Sequence, residues 1–347
     1  MTTRRKIMGV IGGATFALAT GFGATIALAQ EVTLNLHQFL PAQATVPKQV
    51  LDVWADKIEE ASEGRIKINR FPSMQLGGKP PELMDQAIDG VADITWAVIG
   101  YTPGRFPRTE VFELPFMMTN AAATSRAYWE MFEEHMKDTE FKEVHVLGAW
   151  VHGPGMLHTN GTVAAPGDLE GMKIRGGSRL INVLLTKLGA TPVGMPVPAV
   201  SEALSKGVID GTTIPWEVTS ALKVQELVDS HTEFTGSALY TLTFVLAMNK
   251  GVYEGMPADL RQIIDDNSGL KFSVFAGKTM EDNDAPARAI AVDLGNNIVT
   301  LDEAATQEWR DLSQPIYEEW VAEMAEKGID GQALIDEARM LIAKYSE

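Results

Sequence analysis

The sequence predicts an α/β fold of two lobes, each an open sheet flanked by helices. Three observations carry that expectation. Residues 171–217 alternate strand, helix, strand, helix, strand; residues 32–98 repeat the alternation; and 347 residues are enough for two domains with a core each. Parallel βαβ units gather their connecting loops at the C-terminal ends of the strands, where open α/β sheets present ligand sites.

The first 29 residues stand outside this pattern. Arg4-Arg5-Lys6 precedes the apolar run Ile7 to Leu28, and Ala27-Leu-Ala29 supplies an A-x-A cleavage signal before Gln30. Residues 1–29 therefore read as a secretory signal peptide. An uncleaved anchor is the alternative, and Thr3-Arg4-Arg5 also resembles a twin-arginine signal. No later run approaches the roughly 18 apolar residues of a spanning helix, so a chain without stable membrane insertion is expected.

Val32 to His37 alternates apolar and polar residues as a strand does. Pro47 to Glu63 carries Leu51, Trp54, Ile58 and Ala61 at helical spacing, with Gly64 just beyond its end. Arg65 to Phe71 alternates again, Glu82 to Ile88 is a short helix stopped by Gly90, and Val91 to Val98 is an apolar strand. Asn120 to Lys137 reads as a helix and Glu143 to Trp150 as a strand, with a crossing between lobes near Val151 to Pro154. Leu239 to Met248 is β-prone. Pro257 to about Asp293 has one long helical pattern, with a break near Asn283-Asp-Ala-Pro286, and Leu301 to Ser346 is amphipathic helix with a turn at Gly328.

The stretch 171–217 is the most informative. Its first strand, Met172-Lys-Ile-Arg175, ends by delivering an arginine into Gly176-Gly177. Bare glycine backbone lets a ligand approach, and a guanidinium fork can grip a carboxylate bidentately. The plainer reading is a surface arginine in a turn. A helix Arg179 to Lys187 follows, then a strand Thr191 to Pro196, a helix Pro198 to Lys206, and the run Val208 to Glu217. Trp96, Tyr101, Phe116 and Trp216 fall near strand ends, and Met195 lies in a Gly-Met-Pro turn there. Each aromatic fits a cleft wall, though plain core is the commoner fate of such residues.

Composition narrows the chemistry. The full sequence carries a formal charge of −17, and three of its basic residues lie in the leader. So acidic a chain argues against nucleic acid and anionic lipid as partners. There is no cysteine, which excludes disulfides, lipidation at cysteine, thiol catalysis and thiolate metal sites. The six histidines lack H-E-x-x-H or other tight ligand spacing. Ser178 lacks the trailing glycine of a nucleophile elbow, and Gly77-Gly-Lys-Pro80 has proline where a phosphate loop needs Ser or Thr. No metal, no cofactor and no catalytic residue is expected.

DLEGMKIRGG (168–177), LGATPVGMP (188–196) and ALSKGVIDGTTIP (203–215) together resemble the diagnostic core of the substrate-binding proteins of TRAP transporters, the DctP type. The resemblance extends to EGRIKINRFPSMQLGG (63–78), AIDGVADI (87–94) and GYTPGRFPRTEVFELPF (100–116), covering most of the chain after residue 30. It implies a two-lobed periplasmic-binding-protein fold, two open mixed sheets flanked by helices, with a long helix bridging the lobes. The expected division is residues 30–150 plus about 240–285 for lobe I, and 151–239 plus about 286–347 for lobe II. It further implies a monomeric periplasmic receptor, not an enzyme, that closes around a small organic acid and hands it to TRAP permease subunits.

Arg175 matches the arginine that pairs with the ligand carboxylate in that family. Many members carry a second arginine about twenty residues earlier; the corresponding strand here, Gly153 to His158, has none. Phe39, Val98, Val197 and Ile214 stand where sugar-acid binders place polar contacts. A branch of the family holds 2-oxo acids through a Glu-Trp pair and a cation, and here the order is Trp216-Glu217, so no cation is carried over. One available cation and apolar walls favour a monocarboxylate with an apolar or aromatic body. A C4-dicarboxylate or uronate remains the alternative, with His152, His158 or Arg105 as substitute donors. A secreted enzyme or a structural protein on the same architecture is the more distant alternative.

Overall fold

A computed structural model describes residues 30–346. The leader expected at 1–29 lies outside the described residues. The chain begins with β1 (Val32–His37), followed by a π-helical turn, Val46–Leu51, that runs directly into α1 (Asp52–Ala61). Then come β2 (Ile66–Phe71), α2 (Leu83–Ile88), β3 (Ile94–Val98), α3 (Ala121–Met131) and β4 (Val144–Val151). Asn120 caps α3 by accepting from the amide of Ala123, which satisfies one of the open donors of a helix start.

After β4 the chain crosses to a second sheet. There it builds β5 (Met156–Thr159), β6 (Lys173–Gly176), α4 (Arg179–Lys187), β7 (Thr191–Gly194), α5 (Val200–Ser205), β8 (Gly211–Ile214), α6 (Trp216–Leu222) and β9 (Ser230–Glu233). It returns to the first sheet as β10 (Thr243–Asn249), followed by α7 (Lys250–Gly255), α8 (Ala258–Asp266) and α9 (Leu270–Asp282). A last crossing leads through α10 (Asp284–Asp293) to β11 (Asn297–Thr300), α11 (Glu303–Glu326) and α12 (Gly331–Tyr345).

The two sheets are both mixed. The first has the order β2-β1-β3-β10-β4, and the second β11-β9-β5-β8-β6-β7. Each contains one strand antiparallel to both of its neighbours: β10 between β3 and β4, and β5 between β8 and β9. The remaining pairings are parallel, as βαβ connections demand. Where the first two crossings pass each other, Gly155 donates to the carbonyl of Tyr240 at 3.0 Å, a single β-bridge that ties them together.

The long helical pattern over 257–293 resolves into three helices rather than one. The expected break at Asn283 is present, and a second falls at Asn267–Gly269. Gly269 has φ of +74°, open to glycine at little cost, and this frees its amide to donate to Leu147 of β4 at 2.7 Å. Periodicity cannot register such an exchange of a helical bond for a tertiary one. α9 packs on α3 and β4 whereas α10 packs on α6, so the pair forms the bridge between lobes, hinged at Asn283. The strands β9 and β11 have no counterpart in the sequence reading, since Ser-His-Thr-Glu and Asn-Ile-Val-Thr carry no alternation of apolar and polar residues.

The C-terminal boundary also differs from expectation. α12 packs against α3 of the first lobe, where Tyr345 donates to Glu130 at 2.8 Å and the Ser346 hydroxyl lies 2.7 Å from that of Thr119. Residues 331–346 thus attach to lobe I, while the sequence boundary assigns them to lobe II. An amphipathic helix shows which face it buries but not which surface receives it. Among the described residues, no helix is long and apolar enough to cross a membrane.

Candidate functional site

β6 alternates as a strand should: Ile174 enters the core of its lobe and Arg175 emerges at the end facing the other lobe. The guanidinium is only 1% exposed. Its Nε donates to the carbonyl of Met195 at 2.9 Å, Nη1 to the carbonyl of Thr213 at 3.1 Å, and Nη2 to the Tyr101 hydroxyl at 3.4 Å. Three of five N–H groups are thereby used. Among the described residues no carboxylate lies within salt-bridge distance of it. A buried charge without a counterion costs several kcal/mol, and Arg175 has none among the described residues. Gly177 is required beside it: a Cβ there would stand 3.1 Å from Nη1 and 2.8 Å from Leu242.

The space at this point, its opening to solvent included, amounts to about 390 Å³. Lobe I supplies Phe39, Trp96, Val98, Tyr101 and Phe244; lobe II supplies Arg175, Val197, Ile214 and Glu217. His152 and Tyr240 line it from the crossings. Phe39 stacks on Trp96 with ring centres 4.4 Å apart, and Phe244 lies 5.5 Å from Trp96 on the neighbouring strand. This aromatic stack gives one wall a flat apolar surface. The Tyr101 hydroxyl accepts from the Val197 amide at 2.8 Å, joining the lobes over the cavity.

His152 holds no free donor. Its Nδ1 faces the carbonyl of Gly153 at 2.5 Å and its Nε2 accepts from the Leu242 amide at 3.1 Å, so one tautomer satisfies both partners. Burial, with the nearby Arg175 charge, pushes its pKa down to about 4, and the ring stays neutral. His158 lies behind β8. It donates from Nε2 to the carbonyl of Ile214 at 3.1 Å and accepts from Nδ1 of His231 at 2.7 Å, whose Nε2 accepts in turn from Asn296 at 2.9 Å. Arg105 is paired with Asp85 at 2.7 Å outside the cavity. None of the three substitute donors is therefore available.

Of the residues singled out in the sequence, Arg175, Phe39, Trp96, Val98, Tyr101, Val197, Ile214 and His152 line this cavity. Met195 does not. Its carbonyl positions Arg175, while the residue borders a neighbouring groove. Trp216 is turned away beneath the sheet, packed with Met156, Ala287 and Ala291, and donating to Glu233 at 2.9 Å. As the first residue of α6 it faces inward, and the apolar underside of α10 receives it. Phe116 sits against Phe234, also outside the cavity.

Glu217, Tyr240 and Phe244 are among the lining residues that the sequence does not single out. Phe244 was legible only as part of a β-prone run, and Glu217 only as an ordinary helix-start acid. Yet Glu217 is 3% exposed, and neither of its carboxylate oxygens has a hydrogen-bond partner. Burial raises its pKa to about 7.

Residues 37–324 match the family described as bacterial extracellular solute-binding protein, family 7, DctP. A TRAP solute binding protein from Rhodoferax ferrireducens, solved with copurified benzoate, is 50% identical with a TM-score of 0.89, over 90% of this chain and 98% of that one. A marine metagenome TRAP solute binding protein specific for aromatic acid ligands, solved with metahydroxyphenylacetate, is 44% identical with a TM-score of 0.89, over 91% of this chain and 100% of that one. A third, from Bordetella bronchiseptica with bound mandelate, is 30% identical with a TM-score of 0.84, over 90% and 99%. The C4-dicarboxylate-binding periplasmic protein DctP of Rhodobacter capsulatus is 25% identical over 92% of this chain and 94% of its own. The chain belongs to family 7 of the bacterial extracellular solute-binding proteins, and is a TRAP-type substrate-binding protein.

Proposed function

We propose that this receptor binds an aromatic monocarboxylate in the periplasm and delivers it, as a monomer, to TRAP permease subunits. The observation that carries the reading is the buried Arg175 guanidinium, without a protein carboxylate, facing an aromatic and aliphatic cavity. The carboxylate of the ligand completes the ion pair, and the Phe39, Trp96 and Phe244 rings cover its body. Solved relatives at 50% and 44% identity hold benzoate and metahydroxyphenylacetate, which supports the same class here.

A dicarboxylate, as the Rhodobacter capsulatus relative's name indicates, would need a second cation. Among the described residues lining the cavity, Arg175 is the sole guanidinium or ammonium, and His152 is neutral. A receptor rather than an enzyme is the reading because the family that the chain matches is one of solute-binding proteins. Binding closes the lobes about the crossings at residues 152–155, 239–242 and Asn283, since the ligand touches both lobes only in the closed state.

Isothermal titration of the chain from Gln30 onward, against benzoate, mandelate, succinate, malate and a uronate, tests the reading. Tight binding of an aromatic acid, with no heat from the dicarboxylates and the uronate, is the expected result. The reverse pattern overturns it.

A further inference from the structure

Glu217 is a buried group that the carboxylate anchor does not use. It follows Pro215 in the first turn of α6 and lines the same cavity as Arg175, yet its two oxygens are unpartnered. The Thr45 hydroxyl, on the opposite lobe, eases its burial, but does so without a hydrogen bond of proper geometry. The Arg175 charge acts on His152, Tyr101 and Tyr240, while Glu217 is shifted by burial alone apart from Thr45. No hydrogen bond or ion pair joins the Glu217 carboxyl to Arg175.

A carboxyl group left unpaired in an apolar pocket is destabilising, and a site retains one where a ligand group completes it. Asp284, which accepts from the Glu217 amide at 2.7 Å, adds a second carboxyl close by, and Glu281 a third. A further carboxylate on the ligand therefore meets carboxyl groups rather than a cation here. A hydroxyl suits the group in both of its states, donating to a carboxylate or accepting from a carboxylic acid. We infer that Glu217 is the receptor for a hydroxyl on the body of the bound acid, so that the ligand class is a hydroxylated aromatic monocarboxylate. This rests on the aromatic-acid reading above and narrows it.

The probes are benzoate, its three hydroxy isomers and the corresponding methoxy acids, titrated into the unmodified protein and into Glu217→Leu and Glu217→Gln, with folding checked by thermal melting. At least one hydroxy isomer is expected to bind on the order of tenfold more tightly than benzoate, as a buried hydrogen bond to a carboxyl group provides. Its methoxy analogue should lose that advantage in the unmodified protein, which needs no variant to fold. In Glu217→Leu the ratio of the two dissociation constants should fall to near one, and Glu217→Gln should keep part of it. If no hydroxy isomer outbinds benzoate, or if the preference survives in Glu217→Leu, the inference is overturned while the aromatic-acid reading stands. Tighter binding of 4-(aminomethyl)benzoate than of every hydroxy acid overturns it in favour of an ammonium site. Failure of benzoate and all its derivatives to bind, with a dicarboxylate binding instead, removes the underlying reading as well.

Discussion

The Tyr101 hydroxyl stands 3.4 Å from Nη2 of Arg175, although the two residues belong to different lobes. The same oxygen accepts from the Val197 amide at 2.8 Å, so a single lobe I side chain holds two groups of lobe II. Closure of the lobes and orientation of the guanidinium are thereby coupled. In Tyr101→Phe both contacts vanish and the buried Val197 amide loses its acceptor. The closed state should weaken by roughly 1–3 kcal/mol. Titration should show affinity for an aromatic acid lowered about tenfold or more, with small-angle scattering showing a more open unliganded protein.

Arg175 should separate binding from folding. Removing the guanidinium takes away the ion pair with the ligand, at a cost of about 2–5 kcal/mol in affinity. Lysine cannot restore the planar fork that also reaches Met195 and Thr213. Without ligand, however, Arg175→Met should melt no lower than the parent, because an unpaired buried charge has been replaced by an apolar chain of similar length. A sharply lower melting temperature in the unliganded variant would refute the ligand-waiting role.

Arg179 should matter for stability rather than affinity. It starts α4 and reaches the Glu110 carboxylate, with Nε to Oε1 at 3.0 Å, and Glu323 of α11 at 2.9 Å. Glu110 also accepts from the Trp320 indole at 3.1 Å. Arg179→Ala leaves a buried carboxylate with one neutral donor and should cost about 1.5–3 kcal/mol in urea denaturation. High salt should recover little of it, since the pair is largely shielded from solvent.

Asp284 supplies a pH signature. It is half-buried near Gly153 at the bridge between lobes, and desolvation together with Glu217 and Glu281 raises its pKa to about 8. A carboxyl whose folded pKa is raised binds its proton more tightly in the folded state, so it favours folding at low pH and disfavours it as pH rises from about 4 to about 8. Asp284→Asn can keep the oxygen that receives the Glu217 amide. The variant should gain on the parent by at most about 1.4 kcal/mol per pH unit through that window, and not beyond it. His152 and His231 act in the opposite sense. Both are held near 4 by burial, so stability is lost as pH falls through about 6.5 towards 4, in parent and variant alike. Thermal melts of the two proteins between pH 4 and 9 give the difference curve directly.

The α/β class and most of the elements were legible in the sequence because each rests on local periodicity. Alternation marks β1 and β2, and helical spacing with a closing glycine marks α1 and α4. The family was legible because several motifs occur in order. Arg175 stood out because a charged residue ending a strand and followed by two glycines has a restricted set of uses.

What the tertiary structure alone decided depends on contacts between distant residues. The second break before α9 exists because the Gly269 amide has a better acceptor in Leu147 than in its own helix. α12 joins lobe I because the surface of α3 receives it, which no pattern within α12 reveals. Trp216 and Glu217 are neighbours at the start of one helix, and sequence offers no reason to prefer either for the cavity. The fold turns the indole under the sheet towards Glu233 and leaves the carboxylate facing the cavity with no partner. Local patterning determines which segments become strands and helices; the direction of one side chain at the junction of two lobes is decided by what the other lobe leaves open.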